Sequence, residues 1–386
     1  MVLAALLTSL VWACGGTPPS GPVGTVGAAT ERPSDAPPAT PAPDPKHETY
    51  GFVPYWEMDE SMADHLATVD LTTLALFSVT HTRRGELDAE QNGARRIQGE
   101  LGARMIREAK ERGTRVELVY TAFGERKNRQ FYEDPDAQAR WIAVLAELVD
   151  DLGLDGVNVD VEGLPAEHLL DYGLFVEALR DALLARDPEA QVSVATQAND
   201  RGAAMALAAA TAGADRIFLM GYDYHWEGSN AGATSPIDRL DGASRDLVWS
   251  LDRYAELGVP VDRTLLGLPL YGLTWPVAGP GVGSPATGRG DDWVPRRNLR
   301  VFQDPTFKPQ YEPIQSVEFY SVPTDPADPD AGWDAVYYDS PRSLTPKLQL
   351  ADERGLAGAG FWAIGYERGL PGYGELIATF KAGLLP

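Results

Sequence analysis

The chain has 386 residues, 44% of them apolar, and a formal net charge of −23 at pH 7. That length and apolar content suit one α/β barrel with insertions and a sizeable core. So acidic a surface repels phosphate backbones and anionic headgroups, which argues against nucleic-acid binding and against a polybasic membrane attachment.

Residues 1–13 (MVLAALLTSLVWA) form an apolar run too short to span a bilayer and read as the h-region of a signal peptide, although the positively charged start is missing. The run ends at Cys14, the only cysteine. Leu10-Val11-Trp12-Ala13-Cys14 resembles a bacterial lipobox, with a small residue before the lipidated cysteine and Trp12 as a departure. The alternative is a plain secretory peptide followed by an incidental cysteine. Residues 14–46 are rich in Pro, Ala, Gly, Thr and Ser and read as a disordered tether that cannot bury enough apolar surface to fold. The expected location is therefore the cell envelope or the exterior, with membrane contact only through the lipid, and the expected state is a monomer. A single cysteine excludes disulfides, and its place at the anchor excludes thiol catalysis and Cys-type zinc sites in the folded part.

Residues 47–386 read as one catalytic domain. Strand-like segments fall at 50–56, 71–80, 115–122, 154–162, 191–197, 216–223, 264–271 and 358–364. Helical patterns fall between and after them at 61–67, 95–112, 136–152, 165–186, 201–212, 243–257, 343–354 and 375–384. Such alternation demands a parallel sheet covered by helices, and eight units point to a closed (β/α)₈ TIM barrel of the α/β class. An open doubly wound sheet would announce itself by a Gly-rich phosphate turn after the first strand, and the first strand has none. A Pro-, Gly- and Asp-rich stretch at about 275–335 breaks the rhythm between strand seven and its helix. It reads as a small insertion, with strand-like pieces at 299–302 and 316–322.

The stretch that carries chemistry is Asp155-Gly156-Val157-Asn158-Val159-Asp160-Val161-Glu162. Valines alternate with polar residues at period two, so Asn158, Asp160 and Glu162 share one strand face. Successive residues on that face lie about 6.6–6.8 Å apart, close enough for neighbouring carboxyls to touch. An ordinary half-exposed strand would give the same alternation with its acids in water. If the face is buried, repulsion between the two acids raises one pKa and keeps a proton available, as a general acid requires. Glu162, nearer the loops, is then the acid and Asp160 its partner. Asn158 can hydrogen-bond Asp160 without adding charge.

Aromatic residues stand at nearly every strand end: Tyr55, Trp56, Phe123, Tyr222, Tyr224, Trp226, Tyr271, Trp275, Trp362 and Tyr366. Flat rings around a barrel mouth suit sugar faces, although core packing accounts for some of them. Asp155, Asp160, Glu162 and Asp223 could gather a hard cation in principle, but there is no EF-hand spacing and no clustered histidine pair. There is no Gly-x-Ser-x-Gly elbow and no Walker-type loop. Neither a metal nor a cofactor is expected.

These motifs resemble glycoside hydrolase family 18, the chitinase and endo-β-N-acetylglucosaminidase family. DGVNVDVE matches its strand-four motif Asp-Gly-x-Asp/Asn-x-Asp-x-Glu. Met220-Gly221-Tyr222-Asp223 is similar to its Met-x-Tyr-Asp, and 267–275 to its Gly-x-Pro-x-Tyr-Gly-x-x-Trp. The 360–367 segment is similar to the one carrying the family's floor tryptophan, and 335–339 with 355–356 looks like the branch of spore-cortex and cell-wall hydrolases. The resemblance implies a retaining, substrate-assisted hydrolysis of β-1,4-linked N-acetylglucosamine polymers, namely chitin, chito-oligosaccharides or peptidoglycan. It assigns Glu162 as acid and base, Asp160 to the substrate acetamide, Asn158 to support of Asp160, and Tyr222 and Asp223 to the acetamide and the −1 sugar. Trp362 becomes the floor, and Tyr55, Trp56, Tyr224, Trp226, Tyr271 and Trp275 become candidate sugar contacts. Two features depart from the family: Thr121-Ala122-Phe123-Gly124 replaces Ser-x-Gly-Gly, and Asn158 stands where many members carry Asp. Two alternatives stay open: a non-hydrolytic sugar-binding member, and an endoglycosidase of N-glycans.

Overall fold

The computed structural model describes residues 45–328 and 331–386. The signal run, Cys14 and nearly all of the tether lie outside the described residues. Seven strands come first: β1 (Glu48–Pro54), β2 (Thr73–Val79), β3 (Arg115–Phe123), β4 (Gly156–Glu162), β5 (Gln191–Gln197), β6 (Arg216–Met220) and β7 (Thr264–Pro269). Between β7 and the last barrel strand the chain adds β8 (Gly272–Val277), β9 (Asp291–Trp293), β10 (Gln310–Glu312), β11 (Val317–Pro323) and β12 (Trp333–Tyr338). The last barrel strand is β13 (Gly358–Trp362). The barrel closes in the order β1-β13-β7-β6-β5-β4-β3-β2, every pair parallel. This is a closed (β/α)₈ barrel, and the open-sheet alternative falls with the pairing of β1 to β13.

The helices are α1 (Glu60–Leu66), α2 (Asn92–Ile97), α3 (Glu100–Glu111), α4 (Glu125–Tyr132), α5 (Pro135–Leu152), α6 (Leu169–Leu184), α7 (Asp200–Thr211), α8 (Leu247–Leu257), α9 (Leu299–Gln303), α10 (Pro341–Glu353) and α11 (Tyr373–Lys381). Their starts follow capping chemistry. Asp59, Asp134, Asn199, Asp246 and Ser340 each accept a backbone N–H of the first turn. Three sequence expectations change. The pattern at 95–112 is two helices, because Gly99 sits extended between them. An extra helix, α4, enters between β3 and α5. Residues 299–302, read as strand-like, belong to α9.

Both faces of the barrel strands are buried. Outward-facing Val157 and Val159 pack under the helices at 0% exposure each. Inside, Tyr50, Phe52, Ala75, Phe77, Val119, Ala195, Phe218 and Leu265 form a separate apolar plug. Two glycines let that plug close. A Cβ on Gly267 would lie 2.4 Å from the Phe218 ring, and one on Gly360 would lie 2.5 Å from it. Above the plug, at the carboxyl-terminal end, polar chains gather next to open space.

The inserted strands form a five-stranded antiparallel sheet, β10-β11-β12-β8-β9, with its own core of Leu273, Trp275, Val277, Val317, Phe319 and Tyr337. Among the described residues no helix is long and apolar enough to cross a membrane.

Candidate active site

Strand β4 sets the site. Asn158 and Asp160 are 0% and 5% exposed, and Glu162, one step higher, is half-buried. This excludes the solvated-face reading. Parallel pairing places Thr121 beside Asp160 and Phe123 beside Glu162 on one side, with Ala195 beside Asp160 on the other. The chain turns away at Gly163, whose φ of 72° is a left-handed conformation that suits glycine. The Glu162 carbonyl is fixed by the Gly124 N–H at 2.9 Å and by Asn128 Nδ2 at 2.7 Å. The strand end is therefore rigid although a loop follows it.

A cleft of about 790 Å³ opens above β4, with Asp160, Glu162, Tyr222, Asp223, Tyr271 and Trp362 among its lining. Burial pushes the Glu162 carboxyl up, the Gln197 amide pulls it down through a 2.9 Å bond to Oε2, and the charge on Asp223 raises it again. Burial raises Asp160 well above the usual carboxylate range, and repulsion from Glu162 adds to it. The two acids titrate as a pair that keeps a proton to higher pH than separate carboxyls would. Asp160 Oδ1 is buried and has no hydrogen-bond partner among the described residues.

Asp223 faces the cleft from just beyond β6 and adopts φ 62°, a conformation that Asp tolerates better than most residues. Thr234 holds it there. The Asp223 N–H donates to Thr234 Oγ1 at 3.0 Å, and that hydroxyl lies 3.3 Å from Asp223 Oδ1. The Tyr271 hydroxyl also donates to Asp223 Oδ1. Burial raises the Asp223 carboxyl, and the Tyr271 and Thr234 bonds oppose it. Tyr222 is pushed far up by burial and by the charges on Asp223, Asp160 and Glu162, so its phenol stays protonated and can donate.

The aromatic candidates separate into groups. Trp362 is half-buried over the plug, with its ring 5.7 Å from Phe52 and 4.8 Å from Phe77, edge to face with the latter. Trp56 and Trp226 are exposed on the rim at 44% and 49%. Tyr55 packs edge-on against Trp56 at 4.9 Å, and Trp56 Nε1 donates to the Tyr366 hydroxyl at 3.1 Å. Phe123 is also exposed. Tyr224 lines the cleft with its ring, but its hydroxyl is committed to Ser250 at 2.6 Å. Tyr271 is buried and serves Asp223. A second recess of about 310 Å³ continues past Trp56, Trp226 and Tyr366 toward Glu227, Asp292 and Arg297.

Two expectations are corrected. Trp275 does not reach the cleft. It is 0% exposed inside the inserted sheet, 6.0 Å from the Tyr337 ring, because its place on β8 points into that sheet's core. Asn158 does not donate to Asp160. Its Nδ2 donates to Ser193 Oγ at 2.7 Å, drawn to the hydroxyl on β5. Several site residues were missed in the sequence: Gln197, Thr234, Ser193 and Glu117. Gln197 and Ser193 could have been found by continuing the inward parity of β5, and Glu117 as the one acid on β3.

The model of the glycosyl hydrolases family 18 matches residues 48–367. Among curated relatives, the cortical fragment-lytic enzyme of Bacillus subtilis is 24% identical over 305 residues, covering 76% of this chain and 65% of that protein. Chitotriosidase-1 of Mus musculus is 27% identical over 236 residues, covering 55% of this chain and 49% of that protein. The chain thus spans no more than about two thirds of the length of such relatives. Among solved structures, the class V chitinase from Nicotiana tobaccum superposes with a TM-score of 0.73 at 16% identity, covering 88% of this chain and 99% of that one. The Bacillus cereus spore cortex-lytic enzyme SleL gives 0.66 at 20% identity, covering 86% and 74%. These structural likenesses establish the fold. With the family model matched over most of its folded length, the chain belongs to family 18 of the glycosyl hydrolases.

Proposed function

We propose that this protein hydrolyses β-1,4-linked N-acetylglucosamine polymers, whether chitin, chito-oligosaccharides or the glycan of peptidoglycan, with retention at the anomeric carbon. One observation carries the reading. Asp160 and Glu162 rise from the same strand face, one buried and unsatisfied, the other open to the cleft. Two carboxylates on one strand do not flank a glycosidic bond from opposite sides, as acid and nucleophile must in the two-carboxylate scheme. A buried acceptor beside a general acid suits a substrate that brings an N–H donor and its own nucleophile, which is what a 2-acetamido sugar supplies.

In this mechanism Glu162 gives its proton to the glycosidic oxygen as the C1–O bond breaks. The acetamide carbonyl oxygen of the same sugar bonds to C1 and forms an oxazolinium ion. Asp160 accepts the acetamide N–H and offsets the positive charge, while Tyr222 donates to the acetamide oxygen. Asp223 and Trp362 hold the sugar from the side and from below. Glu162, now a carboxylate, takes a proton from water as its oxygen bonds to C1 and reopens the ring. Relatives named as an endochitinase and as a cortical fragment-lytic enzyme support a polysaccharide substrate. The apolar run ending at Cys14 supports export and a lipid anchor.

The test is Glu162→Gln on chito-oligosaccharides. Turnover should fall by about 10²–10⁴-fold, the usual contribution of a general acid. Near-normal turnover would remove Glu162 from the mechanism, and equal cleavage of fully deacetylated oligomers would remove the acetamide. Calorimetric binding by the unaltered protein with no product released would make it a sugar-binding member instead.

A further inference from the structure

Beneath the catalytic pair lies a buried acid that the mechanism does not use. Glu117 points into the barrel from β3, 1% exposed, on the same side as Thr121 and two rungs below it. Its Oε2 accepts the Tyr50 hydroxyl at 2.6 Å and the Ser193 hydroxyl at 2.5 Å. Ser193 Oγ in turn accepts Asn158 Nδ2 at 2.7 Å. The remaining oxygen of Asn158 and Oδ1 of Asp160 are both buried and without a partner among the described residues, on neighbouring rungs of one strand face. A continuous hydrogen-bonded chain therefore runs from Glu117 through Ser193 to Asn158, directly under Asp160.

We infer that Glu117 is a positioning residue that sets, through Ser193 and the orientation of the Asn158 amide, whether Asp160 faces a donor or an acceptor. The chain has two self-consistent states. With Glu117 ionised, Ser193 donates to it, Asn158 donates to Ser193, and the amide oxygen is left facing Asp160. With Glu117 protonated, the donors along the chain to Asn158 reverse, while the Tyr50 hydroxyl goes on donating to Glu117. Glu117 donates to Ser193, Ser193 donates to the amide oxygen, and the amide N–H₂ is turned toward Asp160. Turning the amide over exchanges its oxygen and nitrogen within the same space, and no proton travels along the chain. Only the second state gives an ionised Asp160 a donor, and it leaves the shared proton to Glu162, where the reaction needs it. An Asn at 158 can then replace a carboxyl, because the titrating group sits one link lower.

The charged and titratable groups around Glu117 are Tyr50 on β1, Arg115 on its own strand, and Asp215 and Arg216 at the start of β6. Arg216 is itself neutralised by Glu48. Around Asp160 they are Glu162, Tyr172 and Tyr222. Burial raises the Glu117 carboxyl, opposed by the Ser193 and Tyr50 bonds, which favours the protonated state.

The inference rests on the proposed hydrolysis for its kinetic arm only. Glu117→Gln presents a permanent amide donor to Ser193. It should move the alkaline limb of kcat up by about one pH unit. Ser193→Ala cuts the chain. It should lower kcat more than it changes KM, and in its background Glu117→Gln should no longer move the limb. Superimposable profiles for the unaltered protein and Glu117→Gln, with equal thermal midpoints, would overturn the relay. A second arm needs no turnover. The infrared band of the Glu117 acid, identified by its loss in Glu117→Gln, should titrate at lower pH in Asp160→Asn. That shift should shrink in the Ser193→Ala background. An equal shift with and without Ser193 would reduce the coupling to charge through space and would also overturn the relay. Absence of hydrolysis by the unaltered protein would sink the proposed function, while the infrared arm would still decide this one.

Discussion

Gln197 Nε2 donates to Glu162 Oε2 at 2.9 Å, from the strand adjacent to the one that carries the acid. The bond stabilises the charged carboxylate, so it works against burial and holds the Glu162 pKa down. Gln197→Leu should therefore raise it. If Glu162 is the general acid as proposed, it would stay protonated to higher pH, and the alkaline limb of kcat/KM would move upward. Turnover at the optimum should fall by about tenfold, because Glu162 also loses its orientation. A pH–rate profile checks both parts.

Tyr271→Phe should move the same limb the other way. Without the phenol, Asp223 loses its strongest opposition to burial and keeps a proton to higher pH. A neutral Asp223 no longer repels charge on Glu162, so the Glu162 pKa comes down. The alkaline limb shifts to lower pH, and stability changes by only about 1 kcal/mol, the net worth of one hydrogen bond. Opposite shifts in these two variants would separate direct from relayed control of the acid.

A third prediction concerns stability. Lys347 on α10 and Asp339, next after β12, form an ion pair at 2.6 Å with side chains 0% and 1% exposed. Burial lowers the lysine and raises the aspartate, and each partner offsets part of the other's shift. Lys347→Met leaves Asp339 buried with Ser343 as its remaining side-chain donor, at a cost of about 3–5 kcal/mol. The folded-state pKa of Asp339 then rises further. Stability is retained at acid pH, where Asp339 is neutral in both states, and is lost as pH rises through the folded value. Urea unfolding should show a deficit that is larger near pH 8 than near pH 5. Adding Asp339→Asn should recover most of it.

Much of this was legible in the chain because two periodicities dominate it. The eight barrel strands announced themselves by apolar runs between helical patterns, and the inward face of β4 by its valine alternation. The boundaries were less legible: Tyr222 and Asp223 lie past the end of β6, and Tyr271 past β7, since strands stop where pairing stops rather than where the apolar pattern does. Trp275 was misplaced because the same alternation that lines a barrel also fills a separate sheet, and sequence alone does not say which core a ring enters. Asn158 was given to Asp160 because neighbours along a strand are visible in sequence. Its actual partner, Ser193, is visible only once β4 and β5 are set side by side in register. Glu117 was passed over for the same reason, since its bonds run to β1 and β5 and not to anything near it in the chain.

The inserted sheet begins at Gly272 and ends at Tyr338, and these two residues are partners in the β8–β12 ladder. The excursion thus leaves and rejoins the barrel through a single doorway. An excursion attached in that way can be shortened, lengthened or exchanged as a cassette, with both severed ends already held at joining distance. Exchanging it would change the chemistry of the recess lined by Leu273, Asp292, Val294 and Arg297 while the strand that bears Glu162 stays untouched, and the exchange needs cuts at only two places.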